Sequence, residues 1–188
     1  MSDPVSAAPL PAYSRVCDVF EPSAKLTLSF EGTVVTEGST QTPIAVSALP
    51  TVGIEDAPAG TLYTLILSDP DAPSVADPKF GEWQHWVVIN APEGKAEDGE
   101  TLTAFFGSAP GKDTGAHRYC FVAYAQPGKI EADEARVPLA SGFPARRSFN
   151  SRAFAEKYEL KAAAAVTYLC EWSEDCAELS KKVAPPAN

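Results

Sequence analysis

The chain reads as short apolar or alternating runs cut apart by turn residues. Leu26-Thr27-Leu28-Ser29-Phe30 alternates with the two-residue period of a strand. Leu62–Leu67 and Trp86–Ile89 are continuous apolar strand candidates, and Leu102–Phe106, His117–Tyr124 and Val166–Trp172 follow them. Seventeen prolines and twelve glycines punctuate these runs. Short strands broken so regularly predict an antiparallel sandwich or barrel.

Two helices are predicted, both late. Asn150 stands as N-cap of the first, with Phe149 and Phe154 at the spacing of a hydrophobic staple and Phe154 and Tyr158 on one face at i, i+4. In the second, Ser173 precedes Glu174 and Asp175, and Lys181-Lys182 lie at the far end, an order of charge that suits the helix dipole. Cys176, Leu179 and Val183 form its apolar stripe. The acidic stretch 93–100 reads as a solvated loop. Residues 1–15, rich in Pro, Ala and Ser, are expected to be poorly ordered. With 188 residues at 45% hydrophobic content there is material for one core and too little for two, so 16–188 is expected to be a single domain.

Charge narrows the function. Fifteen basic against twenty-five acidic residues give a net charge of −10. Such a chain is a poor general binder of nucleic acid and of anionic membranes, so membrane contact is expected to be peripheral at most and any phosphate site must be local. The first residues carry no basic and apolar leader pattern, and no apolar run reaches the ~18 residues of a membrane span. The four cysteines form no Cys-x-x-Cys pair and are expected to be reduced, mostly buried thiols of a cytoplasmic protein.

Four pieces carry candidate chemistry. Strand alternation puts Trp83 beside His85 and Tyr119 beside His117, and these are the chain's two histidines. Asp69-Pro70-Asp71-Ala72-Pro73 follows the Leu62–Leu67 run, and its two prolines fix the backbone, with an X-Pro bond able to be cis. Gly107-Ser108-Ala109-Pro110-Gly111 can bring backbone N–H groups near a ligand, although it lacks the pattern of a P-loop. Taken singly, each has a structural reading. The family resemblance that they carry implies that they meet in one anion pocket. Asp69 would accept an imidazole N–H, either imidazole would present its other N–H to a phosphate oxygen, Tyr119 O–H would add a donor, and Trp83 and Pro73 would supply apolar walls.

Asp69, His85 and His117 also form the ligand set of a 2-His-1-carboxylate metal site, so a metal-dependent enzyme is the alternative reading. A hydrolase built on Asp69 and His117 lacks a nucleophile, because no Gly-x-Ser-x-Gly elbow exists and Ser108 has no evident base. Arg146, Arg147 and Arg152 read as a solvated basic surface, or more sharply as a docking patch for a phosphorylated or acidic partner.

These residues carry a family resemblance. Asp-Pro-Asp-Ala-Pro-Ser at 69–74, Asp77-Pro78 and Glu82-Trp83-x-His85-Trp86 resemble the first signature of the phosphatidylethanolamine-binding proteins. Gly107-Ser108 through Gly115-x-His117-Arg118-Tyr119 is similar to the second, and Phe154-Ala-x-x-Tyr158-x-Leu160 with Glu171-Trp172 resembles the C-terminal region. The resemblance covers roughly residues 20–183. It implies a mainly β fold, a β-sandwich of two antiparallel sheets with a few peripheral helices, and a non-catalytic binding or regulatory role with no cofactor. It also implies a pocket for phosphate-bearing or acetate-like anions, phospholipid headgroups among them, at Asp69, Ala72, Pro73, Trp83, His85, Gly107, Pro110, His117 and Tyr119. A protein partner, a kinase or a serine protease, and a monomeric state are expected on the same basis. Phe80 stands where a tyrosine is common, Ala109-Pro110-Gly111 replaces a Gly-Pro-Pro run, and Gln84 stands where some members have another histidine. After Trp172 the chain diverges, and no lid residue is assigned.

Overall fold

The computed structural model describes residues 11–182. The expectation for residues 1–10 and the apolar role of Val183 lie outside the described residues. Among the described residues nine strands form two sheets. The smaller has the order β2-β1-β4, with β1 at Lys25–Phe30, β2 at Thr33–Val34 and β4 at Thr51–Glu55. The larger has the order β3-β9-β8-β5-β6-β7. Its strands are β3 at Thr40–Gln41, β5 at Leu62–Asp69, β6 at Trp83–Pro92, β7 at Glu100–Thr103, β8 at His117–Ala125 and β9 at Lys161–Cys170. Every pairing between these strands is antiparallel except the two-residue contact of β3 with β9, which is parallel.

Alternation explains why the central strands read as unbroken apolar runs. On β5 and β8, Leu65, Leu67, Tyr119, Phe121 and Ala123 face the smaller sheet and pack with Leu28 and Phe30 of β1. Ile66, Cys120, Val122 and Tyr124 face the other way and are covered by Val16 and Cys17 at the N-terminal side, Ile130, and Phe154 of the first helix. Both faces of the large sheet are therefore buried. All four cysteines are buried free thiols.

Helix α1 spans Ser151–Lys157, and Asn150 Oδ1 accepts the Ala153 N–H at 2.9 Å. The Phe149 and Phe154 rings close the staple with centroids 5.7 Å apart. Helix α2 spans Asp175–Lys181, burying Cys176 and Leu179. Its N-cap is Glu174 and makes no side-chain cap bond; Ser173 Oγ instead donates to Asp175. Ala12–Arg15 form one 3-10 turn. None of the described helices is long and apolar enough to cross a membrane.

Candidate functional site

In the large sheet β5 lies between β6 and β8 and runs antiparallel to both. The end of β5 therefore adjoins the starts of its two neighbours. That single fact brings Asp69 to Trp83, His85, His117 and Tyr119. A one-residue bulge where Leu67 pairs with Trp86 and Ser68 with Gln84 refines the arrangement. Gln84 turns to the opposite face and accepts from Thr103 Oγ1. His85 meets Tyr119 edge-on at 5.1 Å, and Trp86 packs on Phe121 on that same side.

A cavity of about 260 Å³ opens at this end of the sheet. Asp69, Ala72, Pro73, Trp83, His85, Pro110, His117 and Tyr119 all line it. Gly107 does not. Its backbone passes so close to Val46 and Ser47 that an added Cβ would lie 2.7 Å from Val46 O, so glycine is required there for packing. Ala109, Gly111, Thr114, Phe80, Phe106, Phe143, Arg147 and Ser180 complete the wall. Ser180 belongs to α2, so the divergent C-terminal segment supplies one wall residue, which no pattern in the sequence marked.

The loop after β5 is tightly held. Asp71 is fully buried and accepts from Arg118 N, Nε and Nη2, the first two at 2.9 and 2.8 Å. Burial alone would raise the Asp71 carboxyl, but Arg118 outweighs it and holds the group below its ordinary value. Asp71 N–H donates in turn to Asp69 Oδ1 at 2.7 Å. The Ala72–Pro73 bond is cis.

The two imidazoles do different things. His117 Nδ1 lies 2.8 Å from Asp69 Oδ2. Its Nε2 lies 2.9 Å from Thr114 Oγ1, whose own hydroxyl donates to Gly111 O at 2.7 Å. A carbonyl only accepts, so the Thr114 proton is committed and its oxygen accepts from Nε2–H. His117 therefore carries both protons. Burial alone would lower its pKa, but the hydrogen bond and charge of Asp69 override it and hold the pKa above the ordinary histidine value. Asp69 is itself pushed up by burial, with His117 and the Asp71 N–H offsetting part of the rise.

His85 is the opposite case. Its Nδ1 donates to Phe106 O at 2.7 Å, which leaves Nε2 as a lone-pair acceptor at the cavity wall. Burial, with the nearby positive charges of Arg146 and His117, pushes its pKa down to about 3. The ring is neutral. Either imidazole was expected to offer an N–H to a ligand; instead His117 spends both within the protein and His85 offers an acceptor. The wall's remaining donors include Tyr119 O–H, kept protonated by burial, and Trp83 Nε1, enclosed without a partner.

The three arginines do not share one basic surface, although Arg152 is exposed. Arg146 is fully buried and donates to Gln84 O and Ala104 O at 3.0 and 2.8 Å. Arg147 turns to the cavity and stacks on Phe80 with 4.0 Å between guanidinium and ring centre. Arg152 folds against Asp18 and the carbonyls of Ser14, Arg15 and Cys17.

The two enzyme readings fare differently from the pocket. Asp69 and His117 are bonded to each other and His85 Nδ1 is spent on a carbonyl, and among the described residues no three His, Cys, Asp or Glu groups cluster as metal ligands. Ser108 Oγ is buried and bonded to Tyr168 Oη. The Asp69–His117–Thr114 chain has the order of a triad but the wrong polarity, since the hydroxyl accepts a hydrogen bond from the imidazole instead of donating one to it.

A family model described as phosphatidylethanolamine-binding protein matches residues 18–169. The chain is similar to Protein MOTHER of FT and TFL1 homolog 2 of Oryza sativa subsp. japonica, with 38% identity over 155 residues, 82% of this chain and 84% of that one. Among solved structures it resembles a carboxypeptidase Y inhibitor complexed with its cognate proteinase, at a TM-score of 0.71 and 23% identity over 86% of this chain and 90% of that one. It also resembles a phosphatidylethanolamine-binding protein from Plasmodium vivax, at a TM-score of 0.64 and 19% identity over 81% of this chain and 87% of that one. At those identities the two structures speak for the fold.

Proposed function

The chain belongs to the phosphatidylethanolamine-binding protein family, and from that premise we propose that it is a non-catalytic binding and regulatory protein whose cavity takes small phosphate-bearing ligands, headgroups such as phosphoethanolamine among them. One observation carries the reading: a cavity walled by apolar rings also holds a histidine kept cationic by a buried carboxylate. At about 260 Å³ it suits a phosphate with a short substituent and is too small for acyl chains. The regulatory half of the reading is a protein partner, a kinase or a serine protease, with the chain acting as a cytoplasmic monomer.

Dimethyl phosphate is a suitable probe, because its single charge is constant across the histidine range. The sign follows from the Asp69–His117 pair. With His117 protonated the pair is neutral, and on deprotonation Asp69 leaves a net negative charge beside the ligand. Since the pKa of His117 is raised, affinity holds through the ordinary histidine value of ~6.5 and falls as pH rises past it. Calorimetric titration from about pH 6 to about pH 9 reads this directly; constant affinity across that range sinks the proposal.

A further inference from the structure

Arg147 is an arginine whose side-chain hydrogen-bonding capacity none of the described residues uses. Arg118, Arg136 and Arg152 pair with Asp71, Glu100 and Asp18, and Arg146 donates to two carbonyls. No side-chain hydrogen bond or ion pair holds Arg147 among the described residues, and its Nε is enclosed without an acceptor. Enclosed donors are ordinarily satisfied, and in a chain with an excess of ten negative charges a carboxylate partner would be easy to supply.

The position of Arg147 is built, not incidental. Phe80 N donates to Ala72 O at 2.9 Å, which ties the ring to the loop after β5. Ser148 N donates to Phe80 O at 3.1 Å, and Phe149 N to Glu82 O at 2.9 Å. These bonds zip 80–82 onto 148–149 and hold the guanidinium over the Phe80 face at 4.0 Å. A planar cation stacked on a ring has lost its rotational freedom before any ligand arrives.

We propose that Arg147, seated on Phe80, is a further anion anchor of the cavity and directs it to small phosphomonoesters in preference to zwitterionic phosphodiester headgroups. The inference rests on the anion-pocket reading. Three features of the wall favour a monoester. Both His117 N–H groups are committed, so Arg147 is the cation left to bond a phosphate oxygen. His85 Nε2 is an acceptor, which the P–OH of a monoester satisfies and the phosphate of a diester, having no O–H, does not. Asp69 is the wall's single carboxylate, and both its oxygens are taken by His117 and Asp71 N–H, so an ammonium group finds Arg147 and no counter-charge.

Glycerol phosphate and glycerophosphoethanolamine form a matched pair, differing by the ethanolamine ester. In calorimetry near neutral pH, the wild-type chain is expected to bind glycerol phosphate about tenfold more tightly, the worth of about 1.4 kcal/mol. Arg147→Gln is expected to erase that preference by losing glycerol phosphate alone, with Arg147→Lys in between because it keeps the charge without the planar fork. The thermal midpoint should move by no more than about 2–4 °C, since among the described residues the side chain has no hydrogen bond or ion pair to lose and gives up only its stack on Phe80. Unchanged affinities for both ligands in Arg147→Gln overturn the inference and leave the pocket standing. If neither ligand binds the wild-type chain at millimolar concentration, the pocket reading falls with the inference.

Discussion

Replacing His85 with asparagine should flatten the acid side of the stability curve. The imidazole is 3% exposed and its pKa is pushed down to about 3, so it stays neutral in the folded protein where the unfolded chain takes up a proton near 6.5. The sign is that of a depressed group. Its contribution is whole above about pH 6.5, declines as pH falls, and is exhausted near the folded value. Between pH 7 and pH 5 the unfolded state gains about 2 kcal/mol from this one site, at ~1.4 kcal/mol per pH unit. For a chain of this length that is a loss of roughly 4–8 °C in thermal midpoint. Asparagine keeps a side-chain N–H for Phe106 O and does not titrate. Urea or thermal melts of both proteins at the two pH values give the difference of differences. Histidine proton signals give a second reading, because the only two imidazoles should part company: His117 titrating above the ordinary value, His85 silent down to about pH 5. Equal pH dependence in the two proteins, or a His85 midpoint near ~6.5, refutes the reasoning.

Two further perturbations address the frame of the site. Asp71→Ala strands the Arg118 guanidinium, which is a quarter exposed and so partly rescued by water, and should cost about 3 kcal/mol, or roughly 6–12 °C in a thermal melt. Because the Asp71 carboxylate anchors to Arg118 the turn whose backbone N–H aligns Asp69, weaker dimethyl phosphate binding should accompany the loss. Asn150→Ala removes the cap on Ala153 N–H and should cost about 1 kcal/mol by denaturant titration without altering ligand affinity.

The large sheet and α1 were legible because their signals are local: Leu62–Leu67 and His117–Tyr124 fill both faces of a buried strand, and Asn150 with Phe149 and Phe154 states a helix start. Strands β2, β3 and β4 escaped notice because they are short and half exposed, with Gly53 interrupting β4. Alternation paired each histidine with its aromatic neighbour, yet the meeting of the two pairs depends on β5 lying between β6 and β8, which periodicity alone does not reveal. Proton placement was less legible still. It turns on a carbonyl, Phe106 O, beside one imidazole and on a committed hydroxyl, Thr114, beside the other. The three arginines show the limit most plainly: adjacent in sequence, Arg146 and Arg147 part to a buried carbonyl pair and to a ring at the cavity wall.

The central claim is that the cavity at the end of β5 is where a phosphate sits. Crystals grown with glycerol phosphate at a concentration that saturates binding in solution test it most directly. The account predicts phosphate density inside the cavity, within hydrogen-bond reach of Tyr119 Oη and the Arg147 guanidinium, with a phosphate oxygen facing His85 Nε2. An ordered phosphate bound elsewhere on the protein, with only water between Tyr119 and Arg147, would contradict it.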